Sequence, residues 1–161
     1  MADWQALDEA GILQTAQRLL SAEPWLMTTS LTDMAARFGW TVSNFNPDYP
    51  TLGAFIDDGR GLGPESGFVR LDEQSRVQHI LLSLTESVAE EGPDVDAFLQ
   101  DVFADATAAL TGEFGRPTPT VYGEEPQLWW QRPATMFGLL TEIDAVSLQL
   151  SPNELMGGEW E

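Results

Sequence analysis

The sequence predicts a single α+β domain: an antiparallel sheet of about five to seven strands, with two N-terminal helices and one long helix packed on one face. Three observations lead to this prediction. Helical periodicity occupies residues 4–38, short segments of alternating polarity follow, and a long amphipathic helix separates these segments from three more. We assign residues 1–150 to the domain and predict that residues 151–161, which contain proline and glycine, form a loose tail.

Two helices are predicted near the N-terminus, at residues 4–20 and 31–38. In both segments, apolar residues recur at the spacing of one helix face. Asp3 or Asp8 is the candidate N-cap of the first helix and Ser30 that of the second, because a short oxygen-bearing side chain there accepts a hydrogen bond from the first turn. The beginning of the chain is therefore predicted to be helical.

About seven short strands are predicted between and after the helices. Their residues alternate in polarity or include many β-branched and aromatic side chains, and Gly, Pro, Asn and Asp separate them. Two of the strands, at residues 67–71 and 77–85, are close enough along the chain to form a hairpin. The predicted strands are residues 40–45, 52–56, 67–71, 77–85, 128–131, 135–140 and 145–150.

The long helix is predicted over residues 95–110. At about 100° per residue, its apolar positions occupy one arc of roughly 140°, which is typical of a helix packed on a core. Asp94 is the candidate cap of this helix. We expect Phe98, Val102 and Phe103 to be core residues, because all three lie within the apolar arc.

The charge of the chain limits the classes of partner. It contains 26 acidic residues and 7 basic ones, all of which are arginines, and its formal net charge is −19. A field of this sign repels nucleic-acid phosphates and anionic membrane surfaces, so we expect neither as a partner. It favours fast, salt-sensitive association with a basic protein. The alternative, that the acidity only keeps the protein soluble, stays open at this point.

Catalytic and metal chemistry have no recognisable motif in the sequence. His79 is the only histidine and cysteine is absent, which argues against a serine–histidine nucleophile and against zinc. The glycine-rich segment 59–64 lacks the lysine of a phosphate-binding loop, and no acidic cluster has EF-hand spacing. We therefore expect no enzymatic activity, cofactor or metal. Sugar hydrolysis by two facing carboxylates stays open, because any two acidic residues can face each other in a cleft.

Localisation is expected to be cytoplasmic. The first 20 residues have acidic side chains where a signal peptide needs a positive start, and no apolar run reaches membrane-spanning length. A small secreted domain would more often contain disulfide-forming cysteines, and this chain has none.

Two groups of residues suit the binding of a protein partner. The first group is acidic and lies in or just before the long helix, and the second consists of tryptophans, which are frequent binding anchors. Because successive residues of a strand face opposite sides, the two adjacent tryptophans are predicted to separate, with at least one outside the main core. The candidate binding residues are Glu86, Glu90, Glu91, Asp94, Asp101, Asp105, Trp129, Trp130 and Trp160.

Several segments resemble an uncharacterised actinobacterial family of small acidic proteins. They are LTDMAARFGWTV at residues 31–42, LTGEFGRPT at 110–118 and GEEP at 123–126, which precedes the tryptophan pair. The resemblance implies a gene neighbourhood of toxins and type VII secretion, in which small acidic proteins act as immunity factors. The predicted element order is also similar to that of secretion-chaperone-like folds, in which a helix, three strands, a helix and two strands form a dimerising sheet. This second resemblance implies that the protein forms a homodimer.

Two functional hypotheses follow from these residues and from the resemblance. The first is an immunity or antitoxin-like protein that neutralises a basic toxin by covering its active site with an acidic face. The alternative is a secretion-chaperone-like protein that holds a secreted substrate in an apolar groove. Salt distinguishes them, since binding through an acidic face weakens strongly with ionic strength and binding in an apolar groove does not.

Overall fold

A computed structural model describes residues 4–118 and 126–155. These residues form three α-helices: α1 (Glu9–Ser21), α2 (Leu31–Phe38) and α3 (Pro93–Phe114). Three 3₁₀ turns occur at Glu23–Trp25, Pro50–Leu52 and Asn153–Leu155. The strands are β1 (Thr41–Ser43), β2 (Ala54–Asp57), β3 (Gly67–Leu71), β4 (Val77–Ser83), β5 (Gln127–Gln131), β6 (Thr135–Thr141) and β7 (Val146–Pro152).

The seven strands form one sheet in the order β1-β2-β3-β4-β7-β6-β5, and every neighbouring pair is antiparallel. The predicted α+β class with an antiparallel sheet is confirmed, as is the β3–β4 hairpin. The main core includes Ile12 of α1, Leu99 of α3 and Ile80 of β4, all of which are buried. The helices therefore cover the side of the sheet to which Ile80 and the alternate residues of its strand point.

The first two helices begin at caps of the predicted type. Asp8 accepts a hydrogen bond from the backbone N–H of Gly11 at 2.8 Å, and Ser30 accepts one from that of Asp33 at 3.2 Å. The segment before Asp8 is not helical, although the sequence predicted a helix from residue 4. A backbone hydrogen bond to the residue after β4 explains the difference, because Leu7 N–H donates to the Leu84 carbonyl at 2.9 Å.

Helix α3 is longer than predicted and has a different N-cap. It begins at Pro93, its N-cap is Gly92, and no side chain caps it. The prediction of Asp94 as the cap was therefore wrong. Proline is favoured in the first helical turn, where a missing N–H costs no intrahelical hydrogen bond. Asp94 lies inside this first turn, where its negative charge interacts favourably with the helix dipole.

Only part of the apolar arc of α3 is fully buried. Val102 is buried as predicted, but Phe98 and Phe103 are half-buried. The two phenylalanines are five positions apart, which places them about 140° apart around the helix, at the two edges of the arc. The prediction that both are core residues is corrected, because a residue at an edge of the arc contacts the core on one side and solvent on the other.

The C-terminal strand continues beyond the predicted domain boundary at residue 150. Strand β7 ends at Pro152, Ser151 is fully buried, and a 3₁₀ turn follows at Asn153–Leu155. Thr135 of β6 pairs with Pro152, so the first residues of the predicted tail belong to the sheet. The remainder of that segment, residues 156–161, lies outside the described residues.

Hydrogen bonds to Glu23 connect the first 3₁₀ turn to the β5–β6 turn. Oε2 of Glu23 accepts hydrogen bonds from Nε of Arg132 at 2.8 Å and from the hydroxyl of Thr135. Burial by itself would raise the pKa of the Glu23 carboxyl, but these two hydrogen bonds and the charge of Arg132 lower it below its usual value. The ionised carboxylate is therefore stabilised in the folded protein.

Glu23→Gln is expected to lower the free energy of unfolding by about 1 kcal/mol at neutral pH, because the charge-assisted bonds are lost and the ion pair is partly screened. Since the folded pKa is below the unfolded one, this contribution is present above the unfolded pKa and disappears as the pH falls through the folded pKa. Urea unfolding of both proteins at neutral and at strongly acidic pH measures it. Glu73→Gln, at an exposed site, is the control. A difference that persists unchanged in acid would contradict the assignment.

Candidate functional site

The acidic residues that were predicted to bind a partner lie at the protein surface. We call these residues the acidic face: Glu86, Glu90, Glu91, Asp94, Asp101 and Asp105. All are exposed except Glu86, which is half-buried. On α3, Asp101 follows Asp94 by seven positions and Asp105 follows Asp101 by four, so the three aspartates share one side of the helix. Within residues 4–118 and 126–155, none of these three carboxylates makes a side-chain hydrogen bond or an ion pair.

An aromatic pair lies within the acidic face. The rings of Trp4 and Phe98 are 5.3 Å apart between centroids, and Nε1 of Trp4 donates to Oε2 of Glu90 at 3.0 Å. Phe98 is four positions after Asp94 and three before Asp101, so it lies on the same side of α3 as the aspartates. Both aromatic residues are half-buried. The structure therefore joins the acidic segment before α3 to the helix through Trp4.

The role of Trp4 was missed because the sequence placed it in the first predicted helix. A hydrogen bond between residues 86 positions apart leaves no mark in local periodicity. One local signal existed: Trp4 precedes Asp8, the candidate cap that proved to be the true one.

The adjacent tryptophans of β5 face opposite sides of the sheet, as predicted, but both are buried. Trp130 belongs to the main core, where its Nε1 donates to the Gly115 carbonyl at 2.9 Å. Trp129 packs on the other side in a small cluster outside the main core, and its ring lies against Gly138. We remove both from the candidate interface, because neither offers surface to a partner. Trp160 lies outside the described residues.

A groove of about 560 Å³ lies between α3 and the β6–β7 turn, and we call it the α3–hairpin groove. Ile143, at the turn, is 87% exposed. The turn is closed by a hydrogen bond from Glu142 N–H to the Ala145 carbonyl at 2.8 Å. The lining includes the apolar residues Leu99, Phe103, Pro126 and Ile143 and the acidic residues Asp96 and Glu142.

The α3–hairpin groove and the acidic face occupy different sides of α3. Asp96 borders the groove, and Asp94 belongs to the acidic face. Residues two positions apart in an α-helix are separated by roughly 160° around the helix axis, measured in the shorter direction. The groove was not predicted from the sequence. Its one local signal was Ile143, a large apolar residue at a turn position where Gly, Asn or Asp is usual.

Glu142 is the titratable residue at the groove with a shifted pKa. Although the residue as a whole is exposed, partial burial of its carboxyl raises the pKa. A hydrogen bond with Ser147 lowers it and the nearby charge of Asp144 raises it, and the net shift is upward. A cation beside this carboxylate would therefore gain more than beside one in open water.

Comparison with known proteins identifies the family. Residues 12–151 match the family described as "Family of unknown function (DUF6301)". The chain belongs to the DUF6301 family. A search of curated proteins found no match for this DUF6301 chain. Among solved structures it is similar to a DUF4309 family protein, YjgB, from Bacillus subtilis subsp. subtilis str. 168. The sequence identity is 10% and the TM-score 0.44, over 87% of this chain and 97% of that one.

His79 of this DUF6301 protein is buried within the sheet. Its Nδ1 is 2.7 Å from the hydroxyl oxygen of Ser151, and that oxygen accepts a hydrogen bond from Nε2 of Gln149 at 2.8 Å. All three side chains are buried, so Ser151 is not accessible as a nucleophile. In the part of the chain that the structure describes, no three His, Asp or Glu side chains are grouped to hold a metal ion.

Among the described residues, no helix of this DUF6301 protein combines the length and the apolar character that a bilayer crossing requires. Helix α3, the longest at 22 residues, contains Asp94, Asp96, Asp101 and Asp105.

Proposed function

We propose that this protein is a cytoplasmic protein-binding module, of the immunity or antitoxin type, that neutralises a basic protein through its acidic face. The observation that supports this most directly is the set of three α3 carboxylates without a side-chain partner among the described residues, beside the half-buried Trp4–Phe98 pair. We propose a binding role rather than an enzymatic one. The resemblance to proteins encoded beside toxin and type VII secretion genes is also part of the proposal.

Electrostatics gives the reason for a basic partner. Like charges close together on a helix destabilise it, and a cationic surface placed against them removes the repulsion. The formal net charge of −19 attracts such a surface over long range and accelerates its approach. Once contact is made, the partner would bury the remaining exposed surface of the Trp4–Phe98 pair, and tryptophans buried at an interface are frequent among the residues that contribute most to affinity.

The α3–hairpin groove favours a second candidate function, that of a secretion-chaperone-like protein. Its lining is mainly apolar, and Ile143 at its edge is almost fully exposed. A chaperone would hold an apolar segment of a secreted substrate there, and homodimer formation is part of this alternative. Binding of that kind should change little with ionic strength, whereas binding through the acidic face should weaken strongly.

Replacing Asp94, Asp101 and Asp105 together by asparagine is expected to leave folding intact and to weaken binding of a basic partner. Removing the repulsion on α3 should stabilise the helix slightly. The association rate should fall and its dependence on salt should decrease, because steering depends on these charges. The measurement is association kinetics with the product of the adjacent gene at two ionic strengths.

The matched control replaces three exposed acidic residues elsewhere, as Asp48→Asn, Glu73→Gln and Glu154→Gln. Both triple variants change the formal net charge from −19 to −16, so a general effect of charge alters both equally. If the two variants associate at the same rate and with the same salt dependence, the acidic face is only solvated surface and the proposal is wrong.

A further inference from the structure

We infer that the α3–hairpin groove binds a segment of a basic protein in which a large apolar side chain is flanked by arginine or lysine. This inference rests on the proposed function, since it specifies the kind of basic partner. It assigns the groove a role in the same complex as the acidic face, on the other side of α3.

The apolar part of the inference follows from Ile143 and Phe103. Ile143 is 87% exposed in a turn, where it gains nothing from burial in the folded chain. Phe103 lies half-buried at the edge of the apolar arc, where it lines the groove. A large apolar side chain placed between them would remove apolar surface of both residues from water, and such contacts contribute strongly to binding.

The basic part of the inference follows from Asp96 and Glu142. One carboxylate borders the groove from α3 and the other from the β6–β7 turn. Partial burial, opposed by Ser147 and reinforced by Asp144, raises the pKa of Glu142, so an adjacent cation would relieve an unfavourable charge. No described lysine or arginine lines the groove to do this.

A second copy of this chain fits the groove less well than a basic partner. Each copy has a formal net charge of −19, so two copies repel each other, most strongly at low ionic strength. Sedimentation of the full chain at low and high ionic strength tests this occupant directly. Self-association that is lost in Ile143→Ser would assign the groove to a homodimer and overturn the inference.

The main experiment selects ligands without assuming a partner. A displayed library of short random peptides is selected on the immobilised full chain at low ionic strength. Enriched peptides are expected to combine a large apolar residue with arginine or lysine. Titration with a synthetic enriched peptide is expected to shift the backbone amide resonances of residues 96–103 and 141–145.

Variants then locate the peptide site. Ile143→Ser is expected to weaken peptide binding about tenfold or more, as for the loss of an apolar anchor, and Leu52→Ser, at another exposed apolar site, should leave it unchanged. Glu142→Gln combined with Asp96→Asn should weaken binding and reduce its salt dependence. Glu73→Gln combined with Asp48→Asn is the charge-matched control.

Three results would overturn the inference: no enrichment, enriched peptides without basic residues, or binding unaffected by Ile143→Ser. The proposed function can fail separately. If peptides bind the groove but the asparagine variant of the acidic face associates normally with a basic partner, the proposed function fails and the groove assignment stands. If the asparagine variant of the acidic face loses binding of a basic partner but Ile143→Ser keeps it, the groove assignment fails.

Discussion

Arg60→Met is expected to lower the free energy of unfolding by about 3–5 kcal/mol, because it leaves the carboxylate of Asp58 buried without its cation. Nε of Arg60 donates to Oδ1 of Asp58 at 2.6 Å, and the two side chains are only 10% and 2% exposed. The guanidinium also donates to the backbone carbonyls of Ser66 and Ser83. Removal of Arg60 therefore leaves a buried charge and two carbonyl groups without these donors.

The double variant Asp58→Asn/Arg60→Met is expected to be more stable than Arg60→Met alone. Asp58→Asn removes the carboxylate charge that Arg60→Met leaves buried, so the effects of the two substitutions should be strongly non-additive. Urea unfolding of the wild type, both single variants and the double variant measures the coupling. Arg76→Met is the control, since the side chains of the Arg76–Asp72 pair are 46% and 23% exposed, and solvent screening should limit the contribution of this pair to less than about 1 kcal/mol. A double variant as unstable as the sum of the singles would contradict this account.

Gly138→Ala is expected to destabilise the protein by about 1–3 kcal/mol, the usual cost of overpacking a core. A β-carbon at residue 138 would lie 2.5 Å from the ring of Trp129, which is fully buried and has no room to move away. Trp129→Ala alone should cost about 3–5 kcal/mol. In the double variant the ring is absent, so Gly138→Ala should cost much less there than in the wild type.

Gly112→Ala provides a control of opposite sign for the same chemical change. Gly112 lies in α3, and nothing is within 4 Å of the position that its β-carbon would take. Alanine in an exposed helical position should stabilise by about 0.5–1 kcal/mol. Thermal and urea unfolding of the wild type, Gly138→Ala, Trp129→Ala, their double variant and Gly112→Ala gives all these differences. If Gly138→Ala is neutral, Trp129 is not packed on the sheet as described.

Local signals in the sequence were sufficient for much of the fold. The caps at Asp8 and Ser30 depend on side chains three residues from their partners, and the structure has both. The β3–β4 hairpin joins strands with a short turn between them, and it is also present. The predicted start of the first helix at residue 4 was wrong, because the backbone N–H of Leu7 bonds to Leu84, which is far along the chain.

Some features of the candidate site also follow from local sequence, and others depend on contacts between distant residues. Helical spacing alone predicted that Asp94, Asp101 and Asp105 share one side of α3. The hydrogen bond from Trp4 to Glu90, and the groove that Ile143 of the β6–β7 turn forms with α3, depend on contacts between distant parts of the chain. Periodicity records which residues of one element share a side, whereas burial depends on the surface that packs against that side from a distant part of the chain. For that reason the charged positions of this protein could be predicted, and the surroundings of its aromatic residues could not.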